Sequence, residues 1–324
     1  MRVAVTGATG FVGGALVRAL LAQGHTVVAL ARATSQRAHL AHLDITWETG
    51  DVTDRDSLRG KFAGVEWLIH AAGMLGAAGV AERAYHQLHE QGTNNVLAEA
   101  ETAVIKRILY VSSPGVLGPI RGAPAEETAV LAPSNPYERS KAAAEQVAQV
   151  YAKAGLPVII ARPEFIYGPG DTHVLGLFQA VGDGKFFYID GGRHLCHPTF
   201  IEDAVAGMLL ALEKGKVGEI YHITGPKAVT FREFGETIAT ELGAAPPKLS
   251  LPKPVALLGA LGLEMLGKVA RKRPPLSRTG VAFFSETRSF SWQKAERELG
   301  YTPQFDLKSG VAETVAWYRE NELL

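Results

Sequence analysis

The run Tyr137-Glu138-Arg139-Ser140-Lys141 sets a phenol and an ammonium four positions apart. On a helix that spacing puts both side chains on one face, where they enter one cleft. A tyrosine phenol titrates near about 10 in water, too high for proton transfer at neutral pH. A neighbouring cation stabilises the phenolate, lowers that value and makes the residue a proton relay. Ser112-Ser113 ends a stretch that reads as a strand, and a hydroxyl there donates to a carbonyl and orients it beside Tyr137. Ser113 is taken as that hydroxyl, with Ser112 as the alternate. The plainer option is that these serines cap backbone groups in the turn.

A second kind of chemistry belongs to the backbone. Thr6-Gly7-Ala8-Thr9-Gly10-Phe11-Val12-Gly13 stands between the apolar run Arg2-Val3-Ala4-Val5 and a helical pattern that stops at Gly24. Glycine at 7 permits a tight turn, at 10 a close approach to phosphate, and at 13 close packing of helix on sheet. The free N–H groups and positive end of the helix dipole then face an anion. A dinucleotide pyrophosphate suits that place, with Gly7, Thr9, Gly10, Phe11 and Val12 as its cradle and Lys141 reaching a ribose. NAD-preferring sites carry a carboxylate about twenty residues past the fingerprint. Here the chain reads Leu30-Ala31-Arg32-Ala33-Thr34-Ser35-Gln36-Arg37, with none. Arg32, helped by Ser35 or Arg37, would pair with a 2′-phosphate, so NADP is the expected cofactor. Arg32 stacked on adenine would leave NAD acceptable.

Positioning these groups requires parallel strands whose carboxyl ends meet at one cleft. The first half supplies them, with strands expected at 2–5, 26–30, 45–48, 65–70, 107–111 and 157–161 and helices at 81–101 and 136–154. The rhythm loosens after Tyr167-Gly168-Pro169-Gly170-Asp171, and 219–223 reads as one more strand returning to the sheet. The expected fold is α/β: a doubly wound parallel (Rossmann) sheet with a smaller, interleaved C-terminal substrate lobe. Residues 1–167 plus 218–224 form the dinucleotide-binding domain, and 168–217 plus 225–324 the lobe. Residues 254–270 form an apolar helix before Arg271-Lys272-Arg273-Pro274-Pro275, too short to span a bilayer securely. A lid over an apolar substrate is preferred there, and contact with a membrane surface is the alternative.

Lysine plus arginine and aspartate plus glutamate both number 33, so no bulk electrostatic partner such as nucleic acid is expected. Cys196 is the single cysteine, which excludes an internal disulfide and a cysteine-rich metal site and suits a reducing compartment. No metal and a cytoplasmic location are therefore expected. The apolar N-terminus lacks a basic n-region and reads as the first βα unit rather than a signal peptide.

In their order these motifs resemble the extended short-chain dehydrogenase/reductase family, also called the NAD-dependent epimerase/dehydratase family. The likeness rests on TGATGFVG at 6–13, GDV at 50–52, HAAG at 70–73, GTNNV at 92–96, YVSS at 110–113, YERSK at 137–141 and RPEFIYGPGD at 162–171. It runs on to Lys294-Ala295-Glu296-Arg297-Glu298-Leu299-Gly300-Tyr301-Thr302-Pro303. The resemblance implies a catalytic triad of Ser113, Tyr137 and Lys141. It also implies that Asp51 and Val52 border the adenine, that Ala71 and Ala72 line the nicotinamide side, and that Pro163 and Phe165 lie near the nicotinamide amide.

Two departures matter. His89 stands where the family usually has an asparagine that supports the helix and a relay water. Cys196, before His197-Pro198-Thr199-Phe200, stands where sugar-nucleotide members usually place an arginine. A pyrophosphate clamp is thereby missing, and Arg193, Arg273 and Arg278 are the candidate replacements. Glu164 is the odd polar residue of the presumed pocket, either salt-bridged to an arginine or accepting a hydrogen bond from substrate. His197 is a further candidate for substrate contact. The branch most resembled holds 3β-hydroxysteroid dehydrogenase-like and dihydroflavonol reductase-like enzymes. That implies reversible hydride transfer between a secondary alcohol and a ketone on a fairly apolar small molecule. The alternatives are a nucleotide-sugar 4-epimerase or dehydratase using the same triad, and a non-catalytic nucleotide-sensing protein. A homodimer is expected.

Overall fold

Uninterrupted apolar runs make strands that are buried on both faces, as a parallel sheet covered by helices requires. In the computed structural model these are β1 (Arg2–Thr6), β2 (Thr26–Ala31), β3 (Ile45–Thr49), β4 (Trp67–His70), β5 (Arg107–Val111), β6 (Val158–Pro163) and β7 (Ile220–Ile223). Residues 1–77, 79–270 and 276–324 are described, with the backbone path alone over 267–270. The strands form one parallel sheet in the order β7-β6-β5-β4-β1-β2-β3. The order reverses at β1, which pairs with β2 on one side and β4 on the other. Open α/β sheets bind ligands beyond the carboxyl ends of the strands at such a switch point.

Helices cover both faces. They are α1 (Phe11–Ala22), α2 (Glu82–His86), α3 (Gly92–Thr102), α4 (Pro136–Lys153), α5 (Leu175–Gly182), α6 (Ile201–Lys214), α7 (Phe231–Leu242), α8 (Lys253–Ala270), α9 (Arg278–Phe284), α10 (Gln293–Leu299) and α11 (Leu307–Glu320). Side chains alternate along each strand, so Val3, Val5, Ile69, Leu109 and Ile159 pack with Leu16 and Leu20 of α1 and Met208 and Leu212 of α6. Ala4, Leu68, Ile108 and Ile160 point the other way, onto Val96 and Leu97 of α3 and Ala144 and Ala148 of α4.

Four expectations are revised. The single helix read over 81–101 is two, separated by a π-helical turn at Gln87–Gln91. The fourth strand starts at Trp67 rather than 65, and the sixth runs on to Pro163 because β7 pairs with it through His222↔Arg162 and Ile223↔Pro163. The lid helix α8 is only partly turned inward. Ala256 and Ala260 pack on Ile189 and Val281, whereas Leu258 (72%), Met265 (63%) and Leu266 (66%) are exposed. Among the described residues no helix is long and apolar enough to cross a membrane. The basic run 271–273 lies outside the described residues.

Four histidines are folded into this frame in neutral form. Burial is the main cause in each: it lowers His70, His89 and His222 to about 3 and His197 to about 4. An unfolded histidine binds its proton near pH 6.5, so the unfolded chain gains protons that the native chain refuses. Stability is therefore full above about pH 6.5 and falls as pH drops toward 4, by up to about 1.4 kcal/mol per histidine per pH unit. Glu164, raised to about 7 chiefly by burial, opposes this, as do Glu127, Asp203 and His173, which are also raised. Thermal melts across that window should show the loss, and a flat midpoint would contradict neutral burial.

Candidate active site

The glycine run folds as its spacing requires. Gly7 has φ +72°, and a Cβ there would meet the Ala71 carbonyl oxygen at 2.6 Å. A Cβ on Gly13 would lie 2.1 Å from the Gly7 carbonyl oxygen, so only glycine lets α1 approach the loop this closely. Gly10 caps α1 with no side-chain hydrogen bond, which leaves the first-turn N–H groups to a ligand. Thr9, Gly10, Phe11 and Val12 line one end of a cleft of about 1750 Å³ that crosses the carboxyl edge of the sheet. Gly7, Arg32, Ser35, Asp51, Val52 and Ala71 continue that wall, and Ala72, Pro163 and Phe165 lead to the far end. The cradle, the uncapped helix and the volume of the cleft fit a dinucleotide.

Hydrogen bonds explain how the intervening motifs hold this wall. The Thr53 N–H and hydroxyl donate to Asp51 Oδ1 at 2.9 and 2.8 Å. Asn95 Nδ2 donates to the Val52 carbonyl at 2.9 Å. The Ala72 N–H donates to Thr6 Oγ1, which lies 2.7 Å from His70 Nδ1, and His70 Nε2 lies 3.1 Å from Thr93 Oγ1. GTNNV and HAAG thus tie β4 and α3 together behind the cofactor wall.

At the far end the cleft is lined by Ser113, Tyr137, Lys141 and Glu164. Asn135 caps α4 by accepting from the Glu138 N–H at 3.0 Å, and Pro136 opens the helix, so Tyr137 sits in its first turn. Lys141 is buried; its Nζ donates to the Val111 carbonyl at 2.7 Å and lies 5.0 Å from the centre of the Tyr110 ring. Burial lowers Lys141 to about 8, against the Glu145 carboxylate. The phenol does not show the expected depression. Burial pushes Tyr137 up to about 12; the Ser113 hydroxyl opposes the rise and the Glu164 and Glu138 carboxylates add to it. Lys141 Nζ is held by the Val111 carbonyl, and the charges that act on the phenol are those of Glu164, Glu138 and Arg288.

The remaining sequence expectations divide. Both serines line the cleft, but the Ser112 hydroxyl donates to Glu145 Oε2 at 2.7 Å, whereas Ser113 Oγ accepts from the Gly115 N–H at 3.1 Å and keeps its own proton to give. His89 occupies the π turn and does structural work where asparagine was expected. Its Nε2 accepts from the Met74 N–H at 3.1 Å, which puts the ring proton on Nδ1, 2.8 Å from Ser140 Oγ. Ser140 in turn donates to the Tyr137 carbonyl at 2.7 Å. His197 is a correction. It is buried away from the cleft, Nε2 lies 3.0 Å from the Gly225 carbonyl, and Nδ1 accepts from the Phe290 N–H, so no nitrogen is left for substrate. Cys196 is likewise buried, its Sγ donating to the Val229 carbonyl at 3.6 Å. Among the candidate replacement cations Arg193 is exposed, Arg278 pairs with Glu264 at 2.9 Å, and Arg273 lies outside the described residues.

One group escaped sequence reasoning. Arg288 lines the cleft and donates to Glu138 at 2.5 Å and Glu286 at 3.2 Å. It fastens the start of α4, beside the phenol, to the C-terminal segment. Leu263 of α8 and Phe283 and Phe284 of α9 give the rest of this end an apolar lining. Among the described residues no group of three His, Cys, Asp or Glu side chains is placed to hold a metal ion.

The sequence model of the NAD dependent epimerase/dehydratase family matches residues 3–224. The chain is 32% identical over 317 residues to the 4-hydroxy-2-methyl-3-oxo-4-farnesyl-3,4-dihydroquinoline-1-oxide ketoreductase of Stigmatella aurantiaca, covering 96% of this chain and 95% of that one. It is 30% identical to the 2-alkyl-3-oxoalkanoate reductase of Stenotrophomonas maltophilia, over 96% of this chain and 97% of that one. Among solved structures, DesIV, the dTDP-glucose 4,6-dehydratase of Streptomyces venezuelae with NAD bound, superposes with a TM-score of 0.81 at 30% identity, over 99% and 98% of the two chains.

Proposed function

Because this chain belongs to the NAD-dependent epimerase/dehydratase family, and so is a nicotinamide-dinucleotide enzyme of the extended short-chain dehydrogenase/reductase type, we propose that it reduces a ketone, or oxidises the matching secondary alcohol, on a fairly apolar substrate. The observation that carries the choice is the shape of the far end of the cleft: Ser113 and Tyr137 against Leu263, Phe283 and Phe284, with Cys196 buried where a phosphate-binding arginine would serve a sugar nucleotide. An apolar wall with few directed polar groups suits a lipid-like ketone.

A nicotinamide dinucleotide held along Gly7, Gly10, Phe11 and Val12 would supply or take up the hydride. The chain's own residues do the rest. Ser113 donates to the carbonyl oxygen and holds it by Tyr137. The Tyr137 phenol gives that oxygen its proton during reduction and takes it back during oxidation. Lys141, one helical turn on and with a proton affinity lowered by burial, supplies the cation that supports the phenolate. The sugar-nucleotide alternative has its own support in the likeness to DesIV, and a panel of apolar ketones run beside dTDP- and UDP-sugars separates the two.

The finer cofactor choice is NADP. Arg32 and Ser35 both line the adenosine end, Arg32 is exposed toward it, and Arg37 is turned aside onto the Trp47 ring at 4.7 Å. Arg32→Ala should then weaken NADP by the loss of a charge-assisted contact, about 1.5–3 kcal/mol, and leave NAD nearly unchanged. Calorimetry with each nucleotide reads this directly, and equal losses would overturn the choice. A homodimer and a cytoplasmic location complete the proposal; light scattering and cell fractionation test them.

A further inference from the structure

Glu164 is held by a strained turn. The next residue, Phe165, has φ +36°, a region that bulky residues avoid. The turn is pinned at both sides, the Glu164 N–H donating to the Ile223 carbonyl at 3.2 Å and the Thr199 N–H to the Phe165 carbonyl at 3.1 Å. The carboxylate is 6% exposed, and that exposure is to the cleft. It lies close enough to Tyr137 for its charge to disfavour the phenolate. A buried carboxylate without a partner is costly, and strained backbone that places one at a reacting centre calls for an external partner.

The neighbouring charges narrow that partner. Glu138 and Glu286 stand nearby, and Arg288 donates to both through Nη2, while its buried Nε meets no partner. Lys141 is committed to Val111. Cys196, behind Glu164, is neutral, its thiol pushed well up by burial. Around Tyr137 the carboxylates of Glu164, Glu138 and Glu286 therefore outnumber the cations of Arg288 and Lys141. A substrate carboxylate next to the ketone would meet repulsion, whereas a hydroxyl would find an acceptor.

Resting on the oxidoreductase reading, we propose that Glu164 selects substrates bearing a hydroxyl close to the reacting carbon and rejects those bearing a carboxylate there. The probes are propiophenone, α-hydroxypropiophenone and benzoylacetate, which share an aryl ketone and differ at the neighbouring position. In the wild-type protein kcat/KM for the hydroxyketone should exceed that for propiophenone by roughly tenfold or more, the effect of one charge-assisted hydrogen bond. Benzoylacetate should be the poorest of the three. Glu164→Met should bring the hydroxyketone-to-propiophenone ratio close to one.

The pH dependence adds a signature that packing alone would not give. Burial raises Glu164 to about 7, Arg288 acts against this and Glu138 with it. Rising pH ionises the carboxyl, so the preference for hydroxyketone over benzoylacetate should grow between about pH 6 and 8 and stay level in Glu164→Met. A wild-type ratio near one, a preference for benzoylacetate, or a ratio that survives Glu164→Met overturns the proposal. If none of the probes consumes reduced nicotinamide, the oxidoreductase reading fails instead. Calorimetric binding of the same ketones then decides the role of Glu164: tighter hydroxyketone binding lost in Glu164→Met supports it, and equal affinities overturn it.

Discussion

Tyr137→Phe is expected to lower kcat by roughly 10²–10⁴-fold while leaving nucleotide affinity near the wild-type value. The ring sits in the first turn of α4, edge-on to His89 at 5.6 Å and to Tyr85 at 6.2 Å between ring centres. Phenylalanine keeps those contacts. It removes only the hydroxyl, and Ser113 is far too weak an acid to replace it at the carbonyl oxygen. Steady-state kinetics with a responsive ketone, paired with calorimetry for the nucleotide, separates the two effects. Near-normal turnover would remove Tyr137 from the mechanism; a matching loss of nucleotide binding would make its role structural.

A comparably large effect, on stability rather than rate, is expected at Arg162. Its guanidinium is 1% exposed and makes a two-pronged pair with Glu145, Nη2 to Oε1 at 2.5 Å and Nε to Oε2 at 2.9 Å. Glu145 also accepts from Ser112, and Arg162 Nη1 donates to the Glu127 carbonyl at 3.3 Å, so the pair joins α4, β5, β6 and the 127 loop under the active site. Arg162→Met leaves Glu145 charged, buried and unpaired, which costs about 3–5 kcal/mol. Arg162→Met with Glu145→Leu removes both charges and should recover much of the loss. Denaturant unfolding of the three proteins reads this, and an equally large loss in the double variant would mean that packing, not charge, holds the site.

Much of the frame was legible because its signals are local. Val3-Ala4-Val5 and Ile108-Leu109-Tyr110 are buried on both faces and read as central strands whatever surrounds them. Gly7 and Gly13 announce a close approach that the backbone then makes. The spacing of Tyr137 and Lys141 needs only helical geometry. What escaped depends on distant parts of the chain. Arg288 meets Glu138 from 150 residues away and belongs to no motif. His197 is polar and adjacent to a motif, yet the Gly225 carbonyl and the Phe290 N–H absorb it into the interior. The outward face of α8 could not be told from its inward face, because leucine occurs on both: Leu257 and Leu263 turn inward and Leu258, Leu261 and Leu266 outward. The raised value of Tyr137 follows from burial, which spacing does not encode.

The central claim is net hydride transfer to a ketone, and one labelling measurement tests it. The protein is supplied with NADPH carrying deuterium at the transferable position and with the ketone that shows the fastest turnover in the panel. The alcohol formed is then analysed by mass spectrometry. The account predicts one deuterium at the carbinol carbon and one oxidised nucleotide per alcohol produced, with both falling together in Tyr137→Phe. Alcohol without deuterium, or a sugar nucleotide that changes at a stereocentre with no net oxidation of NADPH while every ketone is left untouched, would contradict it.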